Sequence, residues 1–275
     1  MSGCLRRAVG VGAFAILLVL AGCQTVQTTR SGEVGVDRPQ RMSSLVSAAQ
    51  VDATAREQYG EILGEAQKKG QLNRDAAQTE RVRRIAQRLI PHTGVFRDDA
   101  PGWQWEVNVI TSADVNAWCM PGGKIAVYTA LIEKLEITDA ELAAVMGHEI
   151  AHALREHARE RMGRQAATGV GLAVVEILTG VPMGDMGQML AQSMFVLPNS
   201  RDNEQEADRI GVELAARAGY DPRAAVSLWN KMTRLSGGNQ PPQWLSTHPS
   251  NETRVRDLTE YSRRVLPLYE KAPRA

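Results

Sequence analysis

Val145-Met146-Gly147-His148-Glu149-Ile150-Ala151-His152 reads H-E-x-x-H inside a segment whose apolar residues recur at helical spacing. A helix advances about 100° per residue, so four steps leave His148 and His152 about 40° apart on one face, one turn from each other. Two imidazoles so placed can share one zinc ion, and Glu149 stands beside them as a base for the attacking water. A structural zinc site would close its coordination with four protein ligands, so the pattern suggests a hydrolytic centre. The helix is specified by its own sequence. Thr138 and Glu141 form a capping box, and Leu142, Val145, Met146, Ile150, Ala153 and Leu154 supply the apolar positions. Gly163 is the expected end.

A catalytic zinc needs a third protein ligand and an open position. A third histidine in H-E-x-x-H-x-x-G-x-x-H fails, because the required positions hold Arg155 and Ala158. His157, nine residues after His148, is expected on about the opposite face of one continuous helix, turned to solvent. The alternative is a carboxylate from a second helix. Residues 199–209 open after Pro198 with good N-cap residues, and this helix is expected to end near Gly219. Glu204 and Asp208, four apart, share a face, and Asp208 is placed to hydrogen-bond a ligand histidine. Glu206 is expected about 200° away from Glu204.

Four stretches in this order resemble the HtpX/BepA type of zinc metallopeptidase, metallopeptidase family forty-eight. They are Asn116-Ala117-Trp118-Cys119-Met120-Pro121-Gly122-Gly123, the His148–His152 motif, Arg201-x-x-Glu204-x-x-x-Asp208, and Thr247-His248-Pro249 followed by Arg254. The resemblance covers roughly residues 75–260. It implies one zinc per chain on His148, His152 and Glu204, with Glu149 as general base and acid. It also implies that Asn116, Ala117, Pro121, Gly122 and Gly123 form a strand and turn beside the cleft, where an extended substrate could add to the sheet edge. His248 could stabilise the oxyanion, or occupy the open position and latch the enzyme. A Gly/Pro-rich loop over 236–242 precedes it. Arg254 could support developing charge or pair with a surface acid. The implied fold is α+β: a mostly helical zincin-type (gluzincin) metallopeptidase domain with a small sheet or hairpin beside the active-site helix.

The N-terminus reads as a secretory signal. Arg6 and Arg7 precede an apolar run from Ala8 to Leu20, then Leu20-Ala21-Gly22-Cys23, a lipobox-like ending. Residues 1–22 are thus expected to be removed and Cys23 acylated, with Gln24 after it favouring the periplasmic face of the outer membrane. Residues 23–41, polar and rich in Ser, Gly, Thr and Pro, read as a flexible tether. The net charge is +1, and loss of Arg6 and Arg7 would take it to −1, so no basic excess points to nucleic acid. With Cys4 gone and Cys23 acylated, Cys119 would remain alone, packed as a small apolar residue.

The remainder, 42–265, reads as one peptidase domain, followed by a tail over 266–275. Helices are expected over 43–69 and 73–90. Trp103–Ile110 alternates as a half-buried strand, with Lys124–Tyr128 as its hairpin partner. Residues 166–197, rich in Gly, Met and aliphatics, are expected either to pack in the core or to form a mobile hairpin over the cleft. About fifteen residues after Tyr261 are too few for one tetratricopeptide repeat. The function expected is endopeptidase cleavage of misfolded or misassembled envelope proteins. The alternative is a latched metalloprotein acting as a chaperone or assembly factor for outer-membrane proteins.

Overall fold

The computed structural model describes residues 23–166, 186–235, 243–249 and 252–274. The expected signal segment 1–22 and the loop 236–242 therefore lie outside the described residues, as does most of 166–197. Among those described, helices dominate and two small sheets accompany them. In chain order they are β1 (Cys23–Val26), β2 (Gln40–Ser43), α1 (Ala48–Lys68), α2 (Ala76–Leu89), β3 (Glu106–Ile110), β4 (Ala117–Met120), β5 (Lys124–Tyr128), α3 (Thr129–Lys134) and α4 (Asp139–Leu154). A helical run over 157–166, α5, follows. Then come α6 (Met186–Phe195), α7 (Arg201–Arg217), α8 (Ala224–Leu235), α9 (Gln243–Thr247) and α10 (Glu252–Lys271). No described helix is long and apolar enough to cross a membrane.

The structure is built around α4. Thr138 caps it, its hydroxyl accepting from the Glu141 amide while the Glu141 carboxylate accepts from the Thr138 amide. Every residue from Glu141 to Leu154 is buried. Neighbours surround the helix: α7 on one side, β4 on another, with α2 and α8 closing the rest. The contact with α7 is backbone against backbone. A Cβ on Gly147 would meet the Gly211 carbonyl oxygen at 2.8 Å, and one on Gly211 would meet the His148 amide nitrogen at 2.7 Å.

The helix does not run on to Gly163. It stops at Leu154, and Glu156 takes a left-handed φ of 50°, which turns the chain before α5 begins. This corrects the extrapolation that sent His157 to solvent: the 100° step holds only within one helix, and His157 opens a new one.

The three-stranded sheet has the order β3-β5-β4. β3 pairs with β5 in parallel, Glu106 opposite Lys124, and β4 pairs with β5 antiparallel, Ala117 opposite Val127. The expected hairpin between β3 and β5 is therefore corrected. The strand between them takes that role, because Ala117–Met120 is buried at every position and its backbone groups need ladder partners. The Pro121–Gly123 turn closes the hairpin with φ values of 74° at Gly122 and 81° at Gly123. Gly123 also lies against the Trp105 ring, 2.7 Å from where a Cβ would stand.

Residues 23–41 are not a tether. β1 and β2 pair antiparallel, Cys23 opposite Ser43, and Val34, Val36 and Met42 are buried. Arg38 forms ion pairs with Glu160 and Glu206, and the Val34 amide donates to Glu213 Oε2 at 3.0 Å. A polar composition gave no warning of this, because few apolar residues and one arginine do the anchoring. The C-terminal tail is corrected likewise. α10 continues to Lys271 with Val265 fully buried, and Arg88 Nη2 donates to the Pro273 carbonyl at 2.6 Å.

Candidate active site

α4 and α7 bring His148, His152 and Glu204 to one point, and the segment after α9 adds His248; all four are buried. His152 Nε2 lies 3.0 Å from His148 Nε2, which is 3.1 Å from His248 Nδ1. Glu204 Oε1 is 3.0 Å from His248 Nδ1 and 3.4 Å from His152 Nε2. Glu204 Oε2 is 3.6 Å from His148 Nε2. Four donors at the corners of a tetrahedron with zinc bond lengths of 2.0–2.1 Å would stand about 3.3 Å apart. The spacing fits such an ion.

Proton placement fits it as well. His148 Nδ1 lies 3.0 Å from Asp208 Oδ1, an acceptor, so this nitrogen carries the proton. His157 Nε2 lies 3.0 Å from Glu206 Oε2 and donates to it. Its Nδ1 is then an acceptor for His152 Nδ1 at 2.9 Å. With both ligand rings neutral, their Nε2 lone pairs would face each other at 3.0 Å, a repulsion that a bound cation relieves, as does a proton on His148, where burial opposes the charge but Asp208 and Glu204 outweigh it. Burial pushes the His152 imidazole well below its usual pKa and the His157 imidazole down to about 4, so both are neutral near pH 7.

The carboxylates are ionised for electrostatic reasons. Burial works to raise Glu204, but His248 and Arg254 outweigh it and hold it well below the usual range. Burial likewise opposes ionisation of Asp208, and Arg254 again outweighs it. Arg254 Nε and Nη2 each lie 2.7 Å from an Asp208 oxygen, Nη1 reaches Glu204 Oε2 at 2.5 Å, and the guanidinium stacks on Trp229. Of the two expectations for Arg254, it pairs with acids, and these are buried rather than at the surface. Its donors go to Asp208, Glu204 and the Pro249 carbonyl. Glu206 is not a solvated acid either. It binds Arg38, Arg155 and His157, which together hold it down at about 2 against the opposing effect of burial.

Glu149 stands at the edge of the cluster, its Oε1 3.6 Å from His248 Nε2 and accepting from Trp244 Nε1 at 2.7 Å. The Trp244 ring stacks on His248 with centroids 4.8 Å apart. Asn199 ties the same segment down, its backbone N–H donating to the Thr247 carbonyl at 2.9 Å and its side-chain Nδ2 at 3.2 Å. The cleft beside these groups is narrow, with a cavity volume of about 30 Å³, and Asn116, Ala117, Pro121, Glu149, His152 and His248 line it. Gly122 and Gly123 shape the turn and do not line the cleft. β4 is an edge strand of its sheet. Cys119 is a buried free thiol whose pKa burial pushes up.

Three side chains escaped sequence reasoning: His157, Trp244 and Asn199. The first needed the helix break at Leu154. Trp244 carried a usable signal, since it precedes His248 by four residues and an i,i+4 pair on one helix meets.

The model of peptidase family M48 matches residues 76–262, more than half of the chain. This chain belongs to peptidase family M48. The family uses zinc, and the cluster of three histidines and Glu204 is a donor set for it. The chain is 39% identical over 160 residues to the mitochondrial metalloendopeptidase OMA1 of Arabidopsis thaliana, covering 58% of this chain and 32% of that protein. The OMA1 metalloendopeptidase of Homo sapiens is 36% identical over 185 residues, 62% of this chain and 34% of that protein. The beta-barrel assembly-enhancing protease of Escherichia coli is 28% identical over 207 residues, 72% of this chain and 41% of that protein. The chain thus spans well under half the length of these relatives. The comparison overturns the outer-membrane placement drawn from the N-terminus. The relatives of higher identity are mitochondrial enzymes by name, and the assembly-enhancing protease is more distant.

Proposed function

We propose that this M48 protein is a zinc-dependent endopeptidase in which His148, His152 and Glu204 hold the metal and Glu149 is the general base and acid. The observation that carries the reading is the convergence of three buried donors on one point with a second carboxylate, Glu149, beside it. Zinc bound there would polarise the scissile carbonyl and acidify water. Glu149 takes the water's proton and returns it to the leaving amine, and the Trp244 indole holds its carboxylate in place. Asp208 and the His157–Glu206 pair fix the two ligand rings. The β4 edge would align an extended peptide by main-chain hydrogen bonds, with Asn116 and Pro121 at its ends. An unfolded or misassembled protein is the substrate this geometry suits, since only an extended segment can lie along a strand edge.

His248 supports a second reading of the resting state. Its Nδ1 lies 3.0 Å from Glu204 Oε1, inside the donor cluster, where an active centre would keep an open position. In that arrangement the protein is latched, and its work on clients would be that of a chaperone until His248 withdraws.

The deciding test is cleavage of an unfolded model protein by the full chain with zinc counted on the same sample. Glu149→Gln is expected to keep one zinc and lose on the order of 10² to 10⁴ in rate. Full cleavage by that variant would refute the assignment. His248→Ala is expected to cleave faster than wild type if the resting enzyme is latched, and slower if His248 supports the oxyanion.

A further inference from the structure

Arg161 sits on α5, three residues past Ala158 on the same cleft wall, and is 8% exposed. Among the described residues only its Nη2 has a partner, the Ser193 carbonyl in the last turn of α6, while its Nε and Nη1 are buried with no hydrogen-bond partner there. The other buried arginines differ. Arg155 spends its donors on Glu206, Thr29 and the Arg38 carbonyl, and Arg254 on Asp208, Glu204 and the Pro249 carbonyl. No carboxylate among the described residues pairs with Arg161. The acids that act on it from a distance include Glu204 and Glu160, and these are already paired with Arg254 and Arg38. A guanidinium buried with two idle nitrogens is costly to keep unless something completes it.

The cleft supplies what could. Glu149, His152, His248 and Arg161 all line it, together with Trp118, Met194 and Phe195. A partly apolar cleft lined by a guanidinium that no described carboxylate neutralises is complementary to a side chain with a methylene stem and an anionic tip. We propose that Arg161 anchors a substrate subsite for an acidic side chain, taking glutamate in preference to glutamine, beside the bond that is cut. The aromatic walls pack the stem, and the carboxylate supplies both the acceptors and the charge that Arg161 lacks. A main-chain carbonyl would satisfy one donor and leave the charge uncompensated. The subsite rests on the peptidase reading of the same cleft.

The test is binding, read without turnover. In zinc-loaded Glu149→Gln protein, fluorescein-labelled peptides that differ only in Glu, Gln or Lys at one scanned position would be titrated by fluorescence anisotropy. One position is expected to favour Glu over Gln about tenfold or more, the size of a charge-assisted hydrogen bond. Adding Arg161→Met should bring that ratio close to one, and Arg161→Lys should retain most of it. Zinc content and near-ultraviolet circular dichroism would check each variant. Should Arg161→Met not fold, Arg161→Gln, which keeps a donor for the Ser193 carbonyl, takes its place. A ratio that survives loss of the cation, or no position that favours Glu, overturns the proposal. Cleavage of the same peptides by the wild-type chain separates the two readings. Cutting without a Glu preference removes the subsite and leaves the peptidase, whereas Glu-selective binding without cutting removes the peptidase and leaves the subsite.

Discussion

Two hydrogen bonds fix the rings of the paired histidines: Asp208 accepts from His148 Nδ1, and His157 accepts from His152 Nδ1. The second is unusual in that the acceptor is itself an imidazole, kept neutral by burial and pinned by Glu206. Replacing it with a ring of similar size that cannot accept would free His152 to choose the wrong tautomer. His157→Phe is therefore expected to weaken zinc about 10- to 100-fold with little loss of secondary structure, measured by competition with a chromophoric chelator. Unchanged zinc affinity would show that packing alone orients His152. At this scale the sequence made most of the cluster legible, since a four-residue spacing on a helix fixes which side chains share a face. It misplaced His157 because a single left-handed residue, Glu156, ends that geometry.

The helix pair α4 and α7 works as an element because two glycines let the backbones touch. His148 follows Gly147 directly, and the Gly211 backbone presses on the His148 amide, so the crossing sets how far Glu204 stands from the histidines. Ala is the better helix former by roughly 1 kcal/mol, yet a Cβ at Gly211 would meet only backbone, which cannot move aside. Gly211→Ala is expected to destabilise by about 1–3 kcal/mol, seen as a lower Tm, and to release zinc more readily. A stabilised variant would mean that the helices separate freely. The caps at Thr138 and Ser200 announced both helices in the sequence. β4 was announced only by the family resemblance, because four apolar residues before Pro-Gly-Gly, read alone, pass for a turn between two strands.

Over the whole molecule, the segment 23–43 folds back onto the face of α7 that carries Glu206 and Glu213. Arg38 joins it to Glu206 and Glu160, and Glu206 in turn joins Arg155 and His157. Glu206 titrates at about 2 against an ordinary 4.5. As the pH falls, the unfolded chain takes up this proton first, so the contribution is complete above about 4.5 and is lost progressively toward about 2. The Tm of wild type is expected to fall across that window more steeply than that of Glu206→Gln. Parallel slopes would show that other acids govern acid unfolding. Burial of Val34, Val36 and Met42 beside this ion pair makes the segment part of the domain.

The sequence by itself determined the peptidase family, the α4 motif, the second helix with Glu204 and Asp208, and the predominance of helix. Each rests on local periodicity, capping or short spacing, which a chain carries before it folds. Tertiary structure alone decided that His248 reaches the donor cluster, that Arg254 backs the acids, that His157 turns inward and that Arg161 is left with idle donors. Those outcomes depend on how elements far apart in sequence cross, and on which buried charges find partners once they do. No local pattern encodes either.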